Sequence, residues 1–229
     1  MIVSHAHRFI FLKTKKTAGT SMEIALSGIC GPDDVITPIP DRDEAERRRL
    51  GRRGPQNCRL GIRRYRSQDA LALLLHRQIL RFHNHTPALE IRRLLPREVW
   101  DGYFKFCFDR NPWDKAVSHY YWQGGESLFP SVKDFLLSGR GQPYSNFKLY
   151  SIRGFLAMDE VYRYEEIDSA LADISERLGL DTPLRLPEFR AKSGHRADRR
   201  HYREILSAEE AEMIGVACAR EIRLLGYEF

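Results

Sequence analysis

Cysteine is scarce in this chain and carries no pattern. Cys30, Cys58, Cys107 and Cys218 are widely spaced among 229 residues, with no C-x-x-C and no Cys/His metal spacing. This argues against a zinc site or a disulfide scaffold and reads as free thiols in a reducing compartment. Long hydrophobic runs are absent too: none approaches the ~20 residues of a membrane span. No leader is expected, because MIVSHAHRFIF runs directly into a core strand. A soluble, cytoplasmic protein is the expectation. Also missing are G-x-x-x-x-G-K-[ST] and G-x-G-x-x-G, the glycine loops of nucleoside-triphosphate and dinucleotide enzymes. No RNP motif, aromatic stacking series or helix-turn-helix pattern supports nucleic-acid recognition.

What is present is a core and an excess of positive charge. With 42% hydrophobic residues the chain can fill one α/β domain over residues 1–229. The formal charge of +6 implies an anionic partner: a nucleotide, an acidic glycan or a nucleic acid. The organising stretch is Arg8 to Ile29, RFIFLKTKKTAGTSMEIALSGI. Phe9 to Leu12 is a short apolar run of strand type, and Met22, Ala25, Leu26 and Ile29 follow helical spacing up to the stop signals Gly28 and Gly31-Pro32. Between them, Lys13 to Ser21 holds three lysines and four hydroxyls around Gly19. A strand, such a turn and a helix N-terminus form a cradle whose free amides and dipole attract a phosphate or a sulfate. A basic βα turn without a ligand is the plainer alternative.

Residues 33–67 read as a basic, solvated insertion with partial helix, ten arginines lying between Arg42 and Arg66. The alternative is a basic arm that holds an acidic acceptor or a nucleic acid. The spacing of Leu71, Leu74, Leu75, Ile79 and Phe82 predicts a helix over 69–82, and Thr86-Pro87 predicts a helix start as N-cap and N1. His85 falls in the loop just before it, with His83 two residues away. Tyr103 to Phe108 is an aromatic-rich strand, and Asn111-Pro112 starts another helix. Arg110 thus lies at a strand's carboxyl end, where open α/β sheets bind ligands. Ser118 stands roughly 9 Å along the helix from Pro112 at 1.5 Å per residue, and the two side chains suit one phosphate. Val161 to Tyr164 reads as an edge strand, and Ser207-x-x-Glu210 is a capping box for the closing helix.

Lys16-Thr17-Ala18-Gly19-Thr20-Ser21 resembles the 5′-phosphosulfate loop of PAPS-dependent sulfotransferases, nearest to the carbohydrate O-sulfotransferase branch with its bacterial members. There the loop is usually Pro-Lys-Thr-Ala-Gly-Thr-Ser, and Lys15 stands here at the proline position. Arg110-Asn111-Pro112 with Ser118, eight residues after the arginine, is similar to the family's 3′-phosphate motif. The resemblance covers nearly the whole length and is weakest over 33–67. It implies a P-loop-like sulfotransferase fold, with a parallel sheet flanked by helices. It also implies transfer of the sulfuryl group of PAPS to a hydroxyl, a saccharide as the acceptor, release of 3′,5′-ADP and no metal.

By the same resemblance Lys16, Thr17, Ala18, Gly19, Thr20 and Ser21 hold the 5′-phosphosulfate, and Arg110 and Ser118 the 3′-phosphate. His85, before Ala88-Leu89-Glu90-Ile91, matches the general base, with His83 as its rival; Lys16 matches the lysine that stabilises the leaving group. Arg196, Arg199, Arg200 and Tyr202 match a basic loop that closes over the nucleotide. Two other readings stand beside this one. A nucleotide kinase lacks its lysine motif and a clear Mg²⁺ carboxylate here; a non-catalytic binder would use the arginine arm for an acidic glycan or nucleic acid.

Overall fold

The computed structural model describes residues 1–61, 65–77, 79–139, 145–187, 198 and 200–229. The strands are β1 (Ile2–Ser4), β2 (Phe9–Leu12), β3 (Val35–Ile36), β4 (Phe104–Asp109), β5 (Ser151–Ile152), β6 (Phe155–Leu156) and β7 (Glu160–Arg163). Five of them form one sheet in the order β3-β1-β2-β4-β7, and β5-β6 is a separate hairpin. β2, β4 and β7 run parallel, with Leu12 beside Cys107 and Asp109 beside Arg163. β1 is antiparallel to both β2 and β3. The sheet is therefore mixed, which corrects the expectation of a parallel one. Only a short turn separates Ser4 from Phe9, whereas a parallel return needs a crossover of a dozen or more residues. Asp34 pins that turn, accepting from Ser4 Oγ at 2.8 Å and from the His5 amide at 2.6 Å.

Twelve helices are described: α1 (Gly19–Leu26), α2 (Asp41–Arg49), α3 (Ser67–His76), α4 (Ala88–Leu94), α5 (Arg97–Gly102), α6 (Pro112–Trp122), α7 (Val132–Leu137), α8 (Phe147–Tyr150), α9 (Ile167–Arg177), α10 (Tyr202–Ile205), α11 (Ala208–Ala217) and α12 (Ala219–Leu225). The two-residue period of the strands sorts side chains to opposite faces. Phe9, Phe11, Phe106 and Phe108 pack with Met22, Leu26, Leu171 and Ile174 of α1 and α9. Ile10, Leu12 and Cys107 turn the other way, onto Ala88, Ile91 and Leu94 of α4. A third cluster, with Trp113, Val117, Phe135, Tyr202 and Ile214, joins α6, α7, α10 and α11. All four cysteines are free. Among the described residues no helix is long and apolar enough to cross a membrane.

Several local expectations change. The helix expected over 69–82 ends at His76, and Leu71, Leu74 and Leu75 are exposed on it. Phe82 is buried from an extended segment instead. Pro87, not Thr86, is the N-cap of α4. Thr86 Oγ1 accepts from the His83 amide at 2.7 Å and donates to its carbonyl at 2.8 Å, which closes the turn carrying Asn84 and His85. The closing helix is two helices that break at Cys218. Residues 33–67 are more than a solvated loop: β3 lies in the sheet, Arg47 is fully buried against Glu44, and Gln56 bridges to Ile36.

Candidate anion-binding site

β2, β4 and β7 all end at one edge of the sheet, and the residues that leave them meet there. After β2 the chain enters the turn with Lys16 and Ala18 both in left-handed backbone, φ +63° and +52°. Non-glycine residues rarely adopt this conformation, so the surroundings hold it. The Thr14 hydroxyl bonds the Phe108 carbonyl of β4 and lies 2.8 Å from Thr17 Oγ1. Asn146 grips the peptide from the other side: its Oδ1 accepts from Lys15 N at 3.0 Å and its Nδ2 donates to Lys15 O at 3.1 Å.

Lys13 does not face the cradle. It is buried, ion-paired with Glu23, and a Cβ on Gly19 would come within 2.7 Å of its Cγ. Glycine is required there by this close crossing. Burial pushes the Glu23 carboxyl up, but the Met1 ammonium and Lys13 outweigh it and hold the group below the usual carboxylate range. Ala18 caps α1 without any side-chain cap. The first-turn amides and the Thr20 and Ser21 side chains are thus left for a guest, and neither hydroxyl has a partner among the described residues.

After β4 comes Arg110. Its Nε and Nη2 donate to Asp114 Oδ2 at 2.8 and 2.5 Å, and its Nη1 reaches Lys16 O at 3.3 Å and Ser118 Oγ at 3.5 Å. Tyr164, which follows β7, lies under the guanidinium at 4.8 Å from ring centroid to Cζ. Asn111 caps α6, accepting from the amides of Trp113 and Asp114, with Pro112 at the first helical position. Asp114, Ser118 and Trp122 recur every four residues and so share one helix face. That stripe meets the turn, because Lys16 Nζ stands 5.1 Å from the Trp122 ring.

Beneath the site Asp109 is fully buried and saturated. It accepts from Lys115 Nζ at 2.9 Å, Asn146 Nδ2 at 2.8 Å and Tyr150 OH at 2.9 Å. Asn146 therefore links the end of β4 to the turn after β2. Nothing in the sequence marks Asn146 for this, since a lone asparagine 131 positions from Lys15 leaves no local signal. Asp114 and Trp122 could have been found from their spacing with Ser118.

His85 joins from α4's leading turn. Its Nδ1 lies 2.9 Å from Lys13 O. A carbonyl only accepts, so Nδ1 carries the hydrogen and Nε2 keeps the lone pair. Burial, and then the charges of Lys13 and the Met1 ammonium, push its pKa down to about 4 against the hydrogen bond to Lys13 O and the Glu23 charge, which raise it. His83 is exposed and lines the same cleft, of about 380 Å³, together with Pro38, Arg81, Phe82, Asn84 and His85. His119, which sequence reading passed over, is also pushed down to about 4, by burial and then by Lys16 and Lys15.

Of the expected closing loop, Arg196 and Arg199 lie outside the described residues. Arg200 is exposed and pairs with Asp198 at 2.6 Å. Tyr202 is buried in the third cluster, where its hydroxyl accepts from Asn111 Nδ2 at 3.2 Å. It is thus seen bracing the start of α6. Among the described residues no group of acidic, histidine or cysteine side chains is arranged to hold a metal ion.

No family model and no solved structure matches the chain. A protein of Archaeoglobus fulgidus described as "Uncharacterized protein" is 33% identical over 103 residues, which cover 43% of this chain and 86% of the archaeal one. The chain belongs to one family with that archaeal protein, whose description assigns no activity.

Proposed function

We propose that the chain is a PAPS-dependent O-sulfotransferase with a P-loop-like sulfotransferase arrangement at the carboxyl edge of its sheet. The observation that carries the reading is the meeting of two motifs 94 residues apart: Arg110 Nη1 reaches both the Lys16 carbonyl and Ser118 Oγ. The chemistry of the donors fits a ligand with two separate phosphate groups. The uncapped first turn of α1, with Thr20 and Ser21, suits a 5′-phosphosulfate. Arg110 and Ser118 suit a 3′-phosphate one side chain away.

PAPS, when bound, supplies an activated sulfuryl group. His85 Nε2 takes the proton of the acceptor hydroxyl as its oxygen bonds to sulfur. The ammonium of Lys16 meets the negative charge left on the departing phosphate oxygen. His85 is neutral at pH 7, as a base must be, and the negative charge of a bound nucleotide raises its basicity. Positioning and electrostatics carry the rest.

The test is the nucleotide affinity of Arg110→Ala. Loss of a charge-assisted contact worth about 1.5–3 kcal/mol weakens 3′,5′-ADP binding by about 10- to 150-fold. An unchanged affinity in a folded variant removes Arg110 from the site and the reading with it.

A further inference from the structure

Beside the His85 turn, two extended segments form a small ladder outside the main sheet. The Leu60 amide donates to Leu80 O at 3.0 Å, the Phe82 amide to Cys58 O at 2.9 Å, and Arg59 faces Arg81 in an antiparallel bridge. Period two again sorts the side chains. Cys58, Leu60, Leu80 and Phe82 pack on the core, and Arg59 and Arg81 are exposed on the other face. Directly opposed side chains lie roughly 5 Å apart at Cβ, where like charges destabilise the pairing. Neither guanidinium is ion-paired among the described residues. Arg81 also lines the cleft that holds His83, Asn84 and His85. Arg81 thus borders the cleft containing the proposed base, and Arg59 opposes it across the ladder, neither ion-paired among the described residues.

We infer that Arg59 and Arg81 form an acceptor subsite for an anionic group, so that the hydroxyl compound entering this cleft is itself acidic, with a carboxylate-bearing saccharide as its simplest form. The guanidinium fork matches a carboxylate with two parallel hydrogen bonds, and the ligand's charge relieves the repulsion between the arginines. The identification of the ligand as an acceptor rests on the sulfotransferase reading; the binding of the anion does not.

The experiment titrates the full chain with a hyaluronan oligosaccharide and with a neutral cello-oligosaccharide of equal length, and repeats both with an Arg59→Gln/Arg81→Gln variant. Titration with 3′,5′-ADP runs in parallel. The acidic oligosaccharide is expected to bind at least about tenfold more tightly than the neutral one, and the double variant to lose that preference, since tenfold corresponds to about 1.4 kcal/mol. The 3′,5′-ADP affinity stays unchanged in the variant. An acidic oligosaccharide that fails to bind, or that binds wild type and variant alike, overturns the subsite. Arginine-dependent oligosaccharide binding without any 3′,5′-ADP binding keeps the subsite and removes the sulfotransferase reading.

Discussion

The imidazole of His85 is held neutral by burial and by nearby positive charge, with its pKa down at about 4, while the Lys13 carbonyl fixes which nitrogen is basic. His119 shares the low value through burial and then Lys16 and Lys15. Unfolded histidine titrates at about 6.5. The unfolded chain therefore binds protons first as pH falls, and the stability these two groups contribute is complete above about 6.5 and is lost towards about 4. Urea unfolding at pH 7 and pH 5 should show the loss, and a His85→Asn, His119→Asn variant should flatten it; an equal slope in the variant contradicts the assignment. A bound anion neutralises the lysines, so 3′,5′-ADP should move the His119 pKa upward in an NMR titration, whereas an unmoved value places the ligand elsewhere. His85→Ala should retain nucleotide binding and lose transfer by about 10²- to 10⁴-fold, the usual contribution of a general base. Full turnover in that variant would pass the role to His83.

At the level of elements, the turn after β2 keeps its left-handed residues because three others hold it: β4 through Phe108 O, α1 through Gly19, and the segment leading to α8 through Asn146. Asn146→Ala leaves the Lys15 peptide and Asp109 short of buried partners, at about 1–3 kcal/mol for each unsatisfied group. Chemical denaturation should show a loss of that size, accompanied by weaker 3′,5′-ADP binding; lost stability with unchanged affinity would make Asn146 structural only. Gly19→Ala should lower stability by about 1–3 kcal/mol through overpacking against Lys13. Strand, turn and helix were legible here because each has a local pattern: apolar Phe9–Leu12, the cap Asn111 before Pro112, the box Ser207–Glu210. Asn146 and the Asp109–Lys115 pair were not, since they act across the sheet and their worth appears only once the chain is folded. The leucines of α3 misled for the converse reason: periodicity records an apolar face but not whether anything covers it.

For the whole molecule, three apolar clusters place the sheet edge between helical layers, and the basic segment is built into that frame rather than appended to it. Gln56 bridges Ile36 and Leu60 packs on the core, so excising residues 41–66 would damage the fold and say little about ligand binding. Exchanging exposed arginines tests the same charge without that damage. The α/β class was legible in the run of strand and helix patterns, yet the direction of β1 followed from a turn of a few residues whose pinning carboxylate, Asp34, lies 30 positions from Ser4. The most direct measurement on the molecule is calorimetric titration with 3′,5′-ADP, using 5′-ADP and ATP as comparators. Binding that depends on the 3′-phosphate is expected, with 5′-ADP weaker by at least about tenfold for the lost Arg110 contact. ATP binding as tightly as 3′,5′-ADP, or no nucleotide binding at all, contradicts the sulfotransferase reading.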